Sequence, residues 1–122
     1  MTLDTIHRRL CHALFDALEQ GDVEGVAACY APDMTMWANF TMKVTTRDEN
    51  LAAIEAGKAM LRRRTYDDRQ VHTFGDGFVA QYTCTVTTHQ GKHVPLAACL
   101  VAEVHDGKIT RLMEYTDSRR FR

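Results

Sequence analysis

The sequence predicts an α+β fold, a cone in which three helices cover one face of a curved, mostly antiparallel sheet around an internal pocket. Three observations predict it. Apolar residues return every three or four positions through the first half of the chain, the helical period. After Thr65 the pattern turns to alternation, and glycine-bearing turns cut it into four strands. Strands gathered after helices place the helices on one side of an antiparallel sheet, and long strands under one helical layer favour a curved sheet with a cavity.

From Leu3 to Glu19, the residues Leu3, Ile6, Leu10, Leu14 and Leu18 form an apolar stripe widened by Ala13 and Ala17. This is an amphipathic helix, and Gly21 ends it. Asp22 caps a second, short helix from Val23 to Tyr30, with Glu24 in its first turn. Pro32-Asp33 closes it and opens a strand through Met34, Met36 and Ala38. Asn39 to Thr46 reads as a loop. Thr46 or Asp48 caps a third helix reaching about Arg64, with Leu51, Ile54, Ala59 and Leu61 as its apolar face. Arg62-Arg63-Arg64 would be its solvated last turn, matched to the helix dipole. Gly75-Asp76-Gly77, Gln90-Gly91 and Asp106-Gly107 then separate strands near 66–74, 78–89, 93–105 and 108–118.

At 122 residues the chain reads as one domain, residues 1–122. Such a length buries roughly two-thirds of its unfolded surface. A net charge of −1 offers no surface for nucleic acid. Asp4, His7, Arg8 and Arg9 interrupt any secretory leader. The longest apolar run, Val94 to Ala102, is too short to cross a bilayer and contains Pro95, so no membrane partner is expected. Cys11, Cys29, Cys84 and Cys99 lack zinc-like spacing and fall inside apolar patterns, which suits buried free thiols in a reducing cytoplasm. His7, His12, His72, His89, His93 and His105 are scattered, with no acid at ligand spacing, so no metal is expected. Arg119-Arg120-Phe121-Arg122 reads as a frayed basic end.

Register decides which side chains enter the pocket, because a slip of one residue exchanges the two faces. On the third meander strand Val94, Leu96, Ala98, Leu100, Ala102 and Val104 form a continuous apolar wall. A two-residue turn at Gln90-Gly91 would set Thr83 against Ala98 and Thr85 against Leu96, adding a polar row. The outer face would then carry Val79 or Tyr82, Cys84, Val86, Cys99 and Val101, an apolar surface that needs a cover. On the last strand, a two-residue turn at Asp106-Gly107 would turn Arg111, Met113, Tyr115 and Asp117 inward. A three-residue turn with a glycine bulge would turn Leu112, Glu114 and Thr116 inward instead. The pattern leaves both open. A carboxyl buried in an apolar pocket is a usual start for acid–base chemistry, which makes Glu114 the candidate acid; on the other register it is a solvated strand residue. Trp37, the sole tryptophan, is a core or pocket wall, and Asn39 is a turn residue or a ligand-binding amide.

Two segments carry a resemblance: GDVEGVAACYAPDMTMWAN at 21–39 and VAEVHDGKITRLMEYTD at 101–117. With them the chain resembles the NTF2-like superfamily, in its SnoaL-like and ketosteroid-isomerase-like branch, over nearly its whole length. The resemblance implies the cone-shaped NTF2-like fold and a homodimer through the sheets; it says little about chemistry, since the superfamily is diverse. In ketosteroid isomerases the general base would match Ala38 and the oxyanion tyrosine would fall near Leu14, so both groups for enolisation are missing and that activity is rejected. The limonene-epoxide hydrolases are similar locally. Their water-positioning Tyr and Asn match Trp37 and Asn39, and their last-strand Asp matches Glu114. Their Arg and second Asp fall on Thr83 and Thr85, with Arg69 and Asp67 as possible substitutes on the neighbouring strand.

The resemblance to SnoaL-like polyketide cyclases implies a pocket acid with polar helpers and no cofactor. The expectation is therefore a pocket for a small apolar, oxygen-bearing molecule. Glu114 would be catalytic; Trp37, Asn39, Thr83, Thr85, Leu96, Ala98, Leu100, Leu112 and Thr116 would bind the substrate. The alternative is a non-catalytic ligand-binding or dimerisation module.

Overall fold

Thr2 opens helix α1 (Leu3–Gln20) by accepting the Thr5 N–H on its hydroxyl, and Gly21, at φ +66°, closes it. Asp22 does the same for α2 (Val23–Cys29) through the Gly25 N–H. Strand β1 (Tyr30–Ala38) follows without a loop. Thr46 and Glu49 form a reciprocal capping box that starts α3 (Arg47–Gly57). The four remaining long strands are β3 (Arg63–Phe74), β4 (Gly77–Thr87), β5 (His93–His105) and β6 (Lys108–Thr116). The computed structural model describes residues 1–119; the rest of the basic end, 120–122, lies outside the described residues.

The α+β expectation holds. With β2 (Lys43–Thr46) as the sixth strand, three helices pack on a sheet in the order β2-β1-β6-β5-β4-β3, antiparallel except where β1 lies beside β6. The core lies between helices and sheet, around Leu14, Phe15, Val26, Met34, Phe78 and Ile109. Each such side chain contributes about 1.5–3 kcal/mol by leaving water.

Several boundaries differ from the sequence expectation. The segment read as a loop contains β2 (Lys43–Thr46), a short edge strand paired with β1; its polar residues lack an apolar face to betray it. Helix α3 stops at Gly57 rather than at about Arg64, and Arg63 and Arg64 belong to β3. The face that α1 buries runs through His7, Cys11, Leu14, Phe15 and Ala17, whereas Leu3 and Ala13 point to solvent.

Register brings the main correction. Gln90-Gly91 is not a two-residue turn: Thr88 and Lys92 are bonded across it, Thr88 N–H to Lys92 O at 2.9 Å, so three residues form the turn and only Gly91 has positive φ. Glutamine tolerates the left-handed region poorly, which disfavours the tighter turn. Thr83 therefore faces Ala97 and Thr85 faces Pro95, while Tyr82, Cys84 and Val86 join Ala98, Leu96 and Val94 on the helix-covered face. At the other hairpin Asp106 (φ 50°) and Gly107 (φ 74°) do form a two-residue turn, yet Thr110 is left unpaired in β6. That bulge puts Leu112 opposite Ala102, Glu114 opposite Leu100 and Thr116 opposite Ala98.

Gly77 lies so close to β5 that an added Cβ would strike the Ala102 carbonyl oxygen, a backbone atom that cannot swing away. Gly77→Ala should lower the urea midpoint by an amount worth about 1–3 kcal/mol with an unchanged slope. An unchanged midpoint would contradict the close approach.

Candidate active site

The alternation of β4, β5 and β6, in register as above, sends one row from each strand into the space beneath the helices. Two adjoining lobes result. One, of about 190 Å³, is lined by Phe15, Tyr30, Met36, Asn50, Leu100 and Leu112. The other, of about 390 Å³, is lined by Phe40, Leu61, Cys84, Val86, Leu96 and Thr116. Arg64, Tyr66, Tyr82 and Glu114 belong to both walls.

Glu114 is the acid of this cavity. It keeps partial exposure because the cavity admits solvent, but protein surrounds it otherwise, and no hydrogen bond to its carboxyl is found among the described residues. Burial raises its pKa above the ordinary carboxylate range, against the opposing pull of Arg64. The Arg64 side chain projects from β3 into the same space and has no ion pair with a carboxylate among the described residues.

Three tyrosines ring the carboxyl. Phe15 stacks on Tyr66 at 5.0 Å and tilts against Tyr82 at 4.7 Å, and Tyr66 meets Tyr82 at 5.5 Å, so packing fixes the phenols. The Tyr30 hydroxyl donates to Asn50 Oδ1 at 2.7 Å, and the Asn50 amide reaches Met36 Sδ, also at 2.7 Å. Desolvation raises all three phenol pKa values, so they are neutral hydrogen-bond donors at physiological pH; the charge of Glu114 raises each of them further. Cys84 is pushed up to about 11 by burial and stays a thiol. The site can thus move one proton and hold negative charge on an oxygen, and it offers no activated nucleophile.

The structure brings together Glu114, Leu96, Leu100, Leu112 and Thr116 on the cavity walls, and Ala98 sits on the same face against the core. It does not bring Thr83 or Thr85 there; both lie on the outer face because of the three-residue turn. Trp37 also faces outward, its ring 5.2 Å from that of Tyr115, since β1 alternates and presents Met36 to the cavity. Asn39 takes the Thr116 N–H on Oδ1 at 2.9 Å and donates back to the Thr116 carbonyl at 3.3 Å, clamping the end of β6. Arg69 turns to α1, 2.9 Å from Asp16 and 3.4 Å from Glu19, and Asp67 accepts the Thr65 hydroxyl at 2.8 Å, so neither replaces the hydrolase pair.

The sequence reading missed Arg64, Tyr66, Tyr82, Tyr30 and Asn50. Alternation from Tyr66 through Tyr82 to Glu114 was the available signal, hidden by the wrong register for β4.

The fold is an α+β cone with one carboxyl, that of Glu114, set among phenols. A family model for the SnoaL-like domain matches residues 11–112, and the chain belongs to that family. Among solved structures it is similar to a candidate polyketide cyclase from Xanthomonas campestris pv. campestris, with 20% identity, a TM-score of 0.86, and coverage of 96% of this chain and 94% of that one. It is similar also to wild-type IdmH, a candidate polyketide cyclase from Streptomyces antibioticus, with 17% identity, a TM-score of 0.82 and 91% of each chain covered. A protein of ketosteroid isomerase-like fold from Catenulispora acidiphila, in complex with trimethylamine, shares 13% identity at a TM-score of 0.78, covering 87% of this chain and 83% of that one. These likenesses establish the NTF2-like fold. No curated protein matches the sequence. No helix among the described residues is long and apolar enough to cross a membrane.

Because burial lifts the Glu114 pKa in the fold above its unfolded value, folding favours the protonated form. That contribution is complete below the ordinary value of 4.5 and is lost as pH rises through the raised one. Glu114→Gln removes the titration. The variant's Tm advantage over the parent should therefore grow from about pH 4 to about pH 8; a difference independent of pH would contradict a raised pKa.

Proposed function

We propose that this SnoaL-like protein is a cofactor-free acid–base enzyme acting on an apolar, oxygen-bearing small molecule, in the manner of a cyclase or isomerase. The observation that carries this is the single carboxyl of Glu114, its pKa raised by burial, inside a cavity walled by phenols. In its ionised form Glu114 takes a proton from carbon next to a substrate carbonyl. The electron pair moves to the carbonyl oxygen, and Tyr82 and Tyr66, fixed neutral donors, hold the enolate. The enolate carbon attacks a second carbonyl, a carbon–carbon bond forms, and the new alkoxide takes the proton back from Glu114. No oxidant or metal enters the balance. Leu96, Leu100, Leu112 and Thr116 shape the space.

The test uses an apolar 1,3-diketone, benzoylacetone, in heavy water. Proton–deuterium exchange at its central carbon, followed by NMR, should be faster with the protein by about 10²-fold or more, the scale of one positioned base. Glu114→Gln should abolish the gain while binding, measured by calorimetry, persists. Undiminished exchange in the variant would remove Glu114 from the mechanism.

A second reading is a non-catalytic module that holds an apolar ligand. It is favoured by one observation: no second carboxyl lines either lobe among the described residues, so a two-carboxylate hydrolase arrangement is missing. Binding without conversion of a bound ketone over hours, followed by mass spectrometry, would decide for it.

The same proposal takes the outer sheet face as the contact of a homodimer. Trp37, Cys99, Val101 and Met113 are half-buried there and Tyr115 is 46% exposed, an apolar patch rather than scattered residues. Sedimentation at micromolar concentration should give a dimer, and Val101→Asp a monomer. A monomeric parent protein would overturn this assembly.

A further inference from the structure

A third hollow, of about 220 Å³, lies outside the cavity between the C-terminal ends of α1 and α3 and the start of β3. Its rim is basic. Lys58, Arg62, Arg63 and Arg64 line it with Glu19 as the only acid. Glu19 is already committed, accepting the Tyr66 N–H at 2.6 Å and facing Arg69 at 3.4 Å. Lys58 meets Glu55 at 3.1 Å, but both are exposed, and such a pair is worth little. Arg62 and Arg63 have no carboxylate partner among the described residues. Two contacts hold the rim in place: the Arg62 N–H donates to Thr87 O at 2.9 Å, and His89 Nε2 lies 2.9 Å from Ala59 O.

This hollow and the smaller lobe share Leu18, Ile54, Gly57 and Arg64. At Gly57, which lines both, an added Cβ would meet nothing within 4 Å. A molecule lying across both would meet an apolar, phenol-lined space at one end and a cluster of cations at the other. The interior holds the Glu114 carboxyl beside a single cation, Arg64, whereas the rim gathers four cations that attract an anion.

We propose that the ligand of this protein is amphipathic: an apolar body seated in the cavity and an anionic head, carboxylate or phosphate monoester, held at Lys58, Arg62 and Arg63. The inference rests on the cavity being the ligand site, as proposed above, but not on Glu114 being catalytic. It makes the rim a specificity element, because a neutral analogue of equal apolar size would lack the cationic contacts.

Calorimetric titration with octanoate, octyl phosphate and 1-octanol tests it. Both anions should bind at least about tenfold more tightly than the alcohol, a factor equivalent to about 1.4 kcal/mol. The preference should shrink between low and high salt, since exposed charges are screened. The double change Arg62→Gln with Arg63→Gln, at exposed positions that carry no core packing, should bring octanoate down to the level of 1-octanol. Gly57→Phe should weaken the two anions by filling the space at the boundary that the hollow and the lobe share. Equal affinity of the three probes, or an anion preference that survives the double change, would overturn the proposal and leave the cavity reading standing. Failure of all three to bind would count against both. Because the readout is binding, loss of turnover in Glu114→Gln bears on the mechanism alone.

Discussion

The bulge at Thr110 is the constraint on which the cavity depends. The Asp106-Gly107 turn pairs His105 with Lys108 and Val104 with Ile109, a register that, if continued, would send Glu114 to the outer face. One unpaired residue reverses the alternation for the rest of β6. The surrounding structure absorbs its cost. The Thr110 hydroxyl donates to the Glu103 carbonyl at 3.2 Å, and the Val104 N–H goes to the Asp76 carbonyl at 2.7 Å. Asp76 belongs to the β3–β4 turn, and the neighbouring Gly77 is where β4 approaches the Ala102 carbonyl. The bulge, the close approach and the turn thus act as one unit that sets which face of β6 turns inward.

The carboxyl of the cavity follows from that alternation. With Leu112, Glu114 and Thr116 inward, the carboxyl lies among Tyr30, Tyr66 and Tyr82, each raised by burial and by the charge of Glu114. Like-signed effects reinforce here. A carboxylate beside buried phenols makes their ionisation costlier, and the apolar wall makes its own ionisation costlier. Arg64 opposes the rise without forming an ion pair with Glu114 among the described residues. A direct salt bridge would hold the carboxyl ionised and leave it a weak base.

Much of the architecture could be read from local chemistry. Gly21, Asp22 and Thr46 act at the helix ends where the sequence places them, because caps are local hydrogen bonds. Helix periodicity located α1, although its buried face centres on Cys11 and Phe15 rather than on Leu10 and Ala13. What escaped is set by partners distant in sequence. Lys43–Thr46 becomes a strand only because β1 lies beside it. Arg63 and Arg64 leave the helical pattern because β4 offers them a ladder through Thr87 and Val86. Two Xxx-Gly pairs looked equivalent, but Asp106 accepts a positive φ and Gln90 avoids it, so the two hairpins differ by one residue and Thr83 and Thr85 end on the outside. The inward placement of Glu114, by contrast, was reachable as one of two registers, and the resemblance favoured the one observed.

The misread arginines join the two charged regions of the molecule. Once the chain leaves α3 at Gly57, residues 58–62 form the only link to β3, and its basic side chains fall on the rim while Arg64, one strand position further in, reaches the cavity. Lys58, Arg62 and Arg63 thus line the outer hollow, and Arg64 lines both that hollow and the cavity that holds Glu114, so charge changes sign from the one to the other. A uniform apolar cavity would accept a ligand in either direction. Under the amphipathic-ligand proposal, cations at the solvent-facing rim would orient the ligand before it reaches Glu114. Thr110 in β6 and the early end of α3 at Gly57 are far apart in sequence, yet one sets Glu114 in the cavity and the other sets the basic rim of the adjoining hollow.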